Sequence, residues 1–343
     1  MMLEKCADGS WKVPGFIDLQ VNGFAGADYN SANTTLESIA KSLRIMFSTG
    51  VTQMLATVIT GAPADMLGAL RNLTRAQREL PEGRAIAGFH VEGPHISSED
   101  GPRGAHPVRW VRKPDLEEYR RWQDVTEGQV KLVTLAPEWP EAPAYTEALV
   151  RDGVTVSIGH TGATREQIGA AVDAGARLST HLGNGAHKTL PRHPNYLWEQ
   201  LAADRLNASF IVDGLHLSET FLRVALRAKT VARSVLVTDA VAPAMCAPGD
   251  YMLGEVQVEL KPDQRVVLRG GDRLAGSSLR MDHAIANVIR MTGVSLEDAV
   301  TMATENPGRL CGIQSNGTTR FRFEGGQIQV FETILDGAVV YRA

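Results

Sequence analysis

Cysteine is scarce in this 343-residue chain. There are three, Cys6, Cys246 and Cys311, far apart and odd in number. That set forms no Cys-x-x-Cys site, gives no disulfide framework and suits a reducing compartment. An excess of one charge is lacking too. The 35 Lys and Arg against 39 Asp and Glu give a formal net charge of −4, which argues against a broad nucleic-acid footprint. No uninterrupted apolar run approaches membrane-span length. The opening Met1-Met-Leu-Glu-Lys-Cys6 holds no apolar stretch of signal-peptide length. The expected location is cytoplasmic, with neither nucleic acid nor membrane as partner. A Gly-x-Gly-x-x-Gly turn after the first strand-like run is also missing, so a dinucleotide-binding open sheet lacks support.

What is present is an ordinary globular balance, 43% hydrophobic and 22% charged, enough for one large domain or a large and a small one. Eight strand-like runs end near Gln20, Thr57, Glu92, Ala136, His160, His181, Asp213 and Asp239, spaced 21 to 44 residues apart. Each interval leaves room for one helix and two loops. Leu36, Ile39, Ala40, Leu43, Met46 and Phe47 form a helical apolar stripe with Gly50 placed as its C-cap. Thr164-Arg-Glu-Gln167 reads as a capping box for a helix that Gly175 closes. Eight alternations predict an α/β fold, a (β/α)8 barrel, over residues 13–311.

Beyond Asp239 the pattern changes. Gly254–Leu260 and Arg265–Leu268 predict a β-hairpin insertion at about 252–270. Ser278 and Ser295 are placed as helix starts, the second helix ending near Asn306-Pro307. The alternating tail, 312–343, is expected to join residues 1–12 in a small β-domain.

Glu92, His160, His181 and Asp239 each follow directly, or almost directly, on a short apolar run. Parallel α/β enzymes keep their chemistry just past the C-terminal ends of strands. Taken singly, each has an ordinary reading: Glu92 or Asp239 as a loop cap, either His as hydrogen-bonded packing. Together on one rim they make an open divalent-metal site, Glu92, His160 and His181, with Asp239 as proton carrier. A metal lowers the pKa of its bound water to ~7, so a carboxylate can accept that proton near neutrality. On the first strand, Gln20 and Asn22 stand where many metal hydrolases of this design carry His-x-His. Neutral amides are poor zinc ligands, so one metal is expected rather than two.

Further segments fall into one order: Pro14-Gly-Phe-Ile-Asp18, His90-Val-Glu-Gly-Pro-His95, Gly104-Ala-His106-Pro107, Thr134-Leu-Ala-Pro-Glu138, Gly159-His-Thr-Gly-Ala-Thr164, Thr180-His-Leu-Gly-Asn-Gly185, Asp213-Gly-Leu-His216, Val237-Thr-Asp-Ala-Val-Ala-Pro243 and Ala275-Gly-Ser-Ser-Leu279. With them the chain resembles the amidohydrolase superfamily, and within it the N-acetylglucosamine-6-phosphate deacetylases. The resemblance implies metal-dependent hydrolysis of an N-acetyl group on an amino-sugar phosphate, giving glucosamine 6-phosphate and acetate. It implies one divalent ion, zinc or alternatively iron(II) or another, held by Glu92, His160 and His181, with Asp239 as general base and then acid. It implies substrate contacts from His106, from Asn184, the Gly185 amide and His216, and from Arg192 across a homodimer interface. Arg192 as a surface charge and His216 as a packed side chain are the ordinary readings.

Three features depart from that family. Only 13 residues precede Pro14, and Phe323-Glu-Gly-Gly-Gln-Ile328 replaces the usual Gly-Lys-x-Ala-Asp tail, so a reduced small β-domain is expected. After His181, Gly183 stands where an aromatic is common, and Lys188, Arg192 and His193 add basic groups. Two alternatives follow: an amidohydrolase for another N-acyl or cyclic amide, or a non-catalytic barrel that binds a sugar or a partner.

Overall fold

The computed structural model describes residues 3–343; Met1 and Met2 lie outside the described residues. Eight parallel strands form one sheet in strictly sequential order: β1 (Phe16–Val21), β2 (Val51–Ile59), β3 (Ile86–Glu92), β4 (Val130–Leu135), β5 (Thr155–Ile158), β6 (Leu178–Ser179), β7 (Asn207–Ile211) and β8 (Ser234–Val237). An isolated parallel bridge, Val21 to Ala240, brings the last strand back to the first. The Asn22 N–H donates to the Ala240 carbonyl at 2.7 Å across the same seam. The sheet is thus a nearly closed (β/α)8 barrel. Its strands are buried along almost their whole length, as a sheet covered by helices requires.

The helices form where their ends are satisfied. Thr35 caps Leu36–Phe47 by accepting from the Ser38 N–H. Thr164 and Gln167 complete a reciprocal capping box on Arg165–Asp173. Asn195 caps Tyr196–Ala202 and Ser218 caps Glu219–Lys229. No helix of the described residues is long and apolar enough to cross a membrane.

Three local expectations are corrected. The insertion is a three-stranded antiparallel sheet, Gly249–Leu253, Val256–Leu260 and Val266–Leu268, not a two-stranded hairpin. Ser278 does not open a helix; the next one runs Met281–Thr292. Ser277 instead accepts from the Val241 N–H and bridges to Ala240, extending the barrel seam, while the Ser278 hydroxyl donates to the Gln264 carbonyl. Asn306 and Pro307 do not end a helix, because they lie in the first turn of Glu305–Cys311. A proline there loses no bond, as first-turn N–H groups have no intrahelical partner.

The two ends of the chain pair in a five-stranded antiparallel sheet: Glu4–Lys5, Trp11–Pro14, Gly317–Glu324, Gln327–Leu335 and Ala338–Arg342. It docks on the N-terminal ends of the first barrel strands. Phe321 packs on Phe16 with ring centroids 6.2 Å apart, and both are fully buried. The Thr319 hydroxyl donates to the Gly50 carbonyl at 2.7 Å. The small sheet therefore sits at the opposite end of the barrel from the strand termini that carry Glu92, His160, His181 and Asp239.

Candidate active site

Glu92 is the last residue of β3, and His160, His181 and Asp239 each stand two residues past a strand. All four are buried. His160, His181 and Asp239 hold left-handed backbone, with φ of 51°, 28° and 51°. Non-glycine residues held in sparsely populated backbone regions cost about 1–3 kcal/mol each and cluster at functional sites. The strand-to-loop turn is bent sharply at each point, which sends three side chains to one centre.

The imidazoles of His160 and His181 approach each other at 3.1 Å between Nε2 atoms. Glu92 Oε1 lies 3.1 Å from His160 Nε2 and 2.8 Å from His181 Nε2. His160 Nδ1 faces the Pro102 carbonyl at 2.8 Å. A carbonyl only accepts, so Nδ1 carries a proton and Nε2 is the atom turned toward the centre. Two imidazole nitrogens and a carboxylate oxygen thus converge on one point. That donor set suits a divalent ion. Burial alone would raise the Glu92 carboxyl, yet bonding to both imidazoles holds it well below the usual carboxylate range. Burial alone would lower His181, and the Glu92 carboxylate outweighs it and raises the imidazole.

His106 joins this cluster more closely than a distant sugar contact would require. One ring nitrogen of His106 and donor atoms of Glu92 and His160 all lie within 4.8 Å of one another. Its ring meets that of His160 edge-on at 4.4 Å. His106 Nδ1 pairs with the Thr60 hydroxyl at 2.8 Å, which leaves Nε2 for a ligand. Burial, helped by His160, pushes His106 down to about 3, so the ring is neutral. Of the two overlapping triads, Glu92, His160 and His181 is the tighter, and His106 flanks it.

Gln20 and Asn22 bond the carboxylates instead of adding a second donor set. Gln20 Nε2 donates to Glu92 Oε1 and to Asp239 Oδ1, both at 3.0 Å. Asn22 Nδ2 donates to the same Asp239 oxygen at 2.7 Å. Both bonds fall on Oδ1, so Oδ2 remains for a proton. Burial and the nearby Glu92 charge push Asp239 up to about 6. Beneath this layer runs a buried polar chain: His90 Nε2 to Thr134, Thr134 to Thr180, and Thr180 to Ser157, at 2.8, 2.7 and 2.5 Å.

The cluster forms the floor of a cavity of about 720 Å³. Asn184, Gly185 and His216, the substrate contacts that the resemblance implies, line it. His216 is held by Asp213, Nδ1 to Oδ2 at 2.6 Å. Gly185 has φ +56°, and a Cβ there would lie 2.7 Å from His160 Nδ1. Gly183 has φ +100°, and its missing side chain leaves space that Phe221 fills, 2.8 Å from where a Cβ would stand. An aromatic ring thus flanks the loop from another helix. Arg192 is exposed and does not line the cavity of its own chain.

Sequence reasoning missed several supporting groups. Thr60 orients His106, and Arg273 lines the rim and bonds Asp100 at 2.8 Å. The Pro102 carbonyl that sets the His160 tautomer is main chain and left no side-chain signal. His187 pairs with Glu99 at 3.1 Å. Lys188, by contrast, lines the cavity and makes no ion pair with any described residue.

The chain has known relatives. The chain matches the Amidohydrolase family over residues 11–319. It is 32% identical over 327 residues to an N-acetylglucosamine-6-phosphate deacetylase of Lysinibacillus sphaericus, covering 95% of this chain and 83% of that protein. It is 34% identical over 352 residues to the protein of that name from Danio rerio, covering 96% and 84%. A mutant N-acetyl-D-glucosamine-6-phosphate deacetylase from Mycobacterium smegmatis, solved in complex with N-acetyl-D-glucosamine-6-phosphate, superposes with a TM-score of 0.88 at 29% identity, covering 97% of this chain and 87% of that one. The chain belongs to the amidohydrolase family and is an enzyme of the N-acetylglucosamine-6-phosphate deacetylase type.

Proposed function

We propose that this enzyme removes the acetyl group of an amino-sugar phosphate, N-acetylglucosamine 6-phosphate, releasing glucosamine 6-phosphate and acetate. The observation that carries the reading is the Glu92, His160 and His181 donor set beside a buried Asp239, at the floor of a cavity that Lys188 lines. The relatives and the sugar-phosphate complex above support the substrate class.

Glu92, His160 and His181 would hold one divalent ion, with zinc the first choice for a mixed oxygen and nitrogen set and iron(II) an alternative. Such an ion supplies Lewis-acid polarisation of the acetyl carbonyl and lowers the pKa of the attacking water. Asp239 Oδ2 takes a proton from that water and returns it to the leaving amine. Gln20 and Asn22 fix the Asp239 carboxylate for both transfers. The free Nε2 of neutral His106 donates to the acetyl oxygen if its proton sits there, with Thr60 then donating to Nδ1. Asn184, the Gly185 amide, His216 and Lys188 receive the anionic end of the sugar, since N–H donors and cations suit phosphate oxygens. Arg192 would reach a second subunit's cavity in a homodimer. A cytoplasmic location is part of the same proposal.

The test is acetate release by zinc-loaded protein from N-acetylglucosamine 6-phosphate beside unphosphorylated N-acetylglucosamine. Selective turnover of the phosphorylated sugar is expected. Protein holding about one metal per chain that turns over neither would refute the substrate assignment.

A further inference from the structure

The cavity has two unlike sides. The eight strands stand in sequential order, so in the closed barrel β6 lies across from β2 and β7 across from β3. Asn184 and Lys188 follow β6, and His216 follows β7; these polar groups line the cavity, whose rim also carries Asp100, Asp272 and Arg273. Opposite them, Ile59 ends β2, and its backbone pairs in register with Glu92. Leu253 reaches the same side from the three-stranded insertion, and Ala275 joins them. Ile59, Leu253 and Ala275 belong to a small apolar cluster separate from the main core.

A substrate whose anionic end is held over β6 and β7 lays its scissile carbonyl on the central donor set. The alkyl end of its acyl group then points toward β2. We infer that Ile59 and Leu253 form the wall that limits acyl-chain length, so that an N-acetyl group fits and a longer N-acyl chain meets side chains. This inference rests on the deacetylase reading above.

A second cavity of about 200 Å³ lies behind the wall, between the β2 end, the helix Pro63–Glu79 and the insertion. Ile59 and Leu253 are the two residues that line both cavities. They are only 7% and 4% exposed, so each fills the partition. Truncating either one joins the two spaces and gives a longer chain somewhere to go. The inserted sheet thereby acts on specificity, although no charged catalytic group comes from its strands.

The experiment measures kcat/KM of the metal-loaded enzyme for the N-acetyl, N-propionyl and N-butyryl forms of glucosamine 6-phosphate. Wild type, Leu253→Ala and Ile59→Ala are compared, with Ile59→Val as a milder variant and thermal melts as a check of folding. One methylene in an apolar pocket discriminates by about ten- to two-hundredfold. The wild type is expected to disfavour the butyryl form by at least about tenfold, and each alanine variant to raise the butyryl-to-acetyl ratio by about tenfold or more. A ratio unchanged in every folded variant, or a wild type indifferent to chain length, overturns the wall and leaves the deacetylase reading standing. Absence of turnover with all three phosphorylated sugars overturns that reading, and the wall with it.

Discussion

His160, His181 and Asp239 show what a single residue gives up at this site. Each is a side chain with chemistry to do, placed on left-handed backbone that non-glycine residues seldom adopt. Asp239→Asn tests both aspects. Asn tolerates left-handed backbone better than most residues, and its carbonyl still accepts from Gln20 and Asn22. Turnover is expected to fall by about 10²–10⁴-fold, the usual worth of a positioned base, with metal content unchanged and the melting temperature of the metal-free protein equal or higher. Turnover within tenfold of wild type would remove Asp239 from the reaction. Asp18 makes a second test, through pH. Burial pushes its carboxyl up to about 7, although Thr238 and the Gln20 N–H donate to it. The folded state therefore keeps a proton that an unfolded Asp, with a pKa of ~3.9, releases. That stability is complete below about pH 4 and is lost as pH rises through about 7. Denaturant midpoints of Asp18→Asn and wild type should diverge in favour of Asn between those limits, then run parallel; a gap that stays constant from pH 4 to 7 would show that Asp18 is ionised throughout. The four chemistry-bearing residues were legible because each ends an apolar run. Their backbone strain and the Pro102 carbonyl were not, since neither leaves a mark in residue type.

Elements were legible where their ends carry local chemistry. Thr164 and Gln167 announce the Arg165–Asp173 helix, and the capping box is present. Thr164→Ala should cost about 0.5–2 kcal/mol, read as a lower unfolding midpoint; an unchanged midpoint would mean the loop from His160 fixes this helix without its cap. The same logic fails where a residue serves a distant partner. Ser278 looks like a helix opener, but Ser277 is tied to the barrel seam and the helix waits until Met281. Asn306 beside Pro307 looks like a stop, but Asn306 donates to the Val231 and Ser234 carbonyls and anchors the start of a further short helix. Gly249–Leu253 carries too short and mixed an alternation to read as a strand. It exists because its neighbour, Val256–Leu260, pairs with it along five residues.

The whole molecule separates holding from doing. Repetition of strand and helix made the barrel legible, because eight similar units leave few other ways to bury their strands. The small sheet's strands were legible from alternation, but the end of the barrel it covers was not, since docking depends on shape. Its junction is the Phe321 ring on Phe16. Phe321→Ala should cost about 3–5 kcal/mol of stability and leave KM and kcat of the folded fraction unchanged. A change in KM comparable to that of a cavity variant would mean the sheet communicates with the site. The sheet also collects the first and last strands of the described residues at the end of the barrel away from the cavity mouth. A tether to a solid support, attached to this sheet through its exposed strand Ala338–Arg342, would then anchor the enzyme by its base, with the mouth turned toward the bulk solution and substrate access unimpeded.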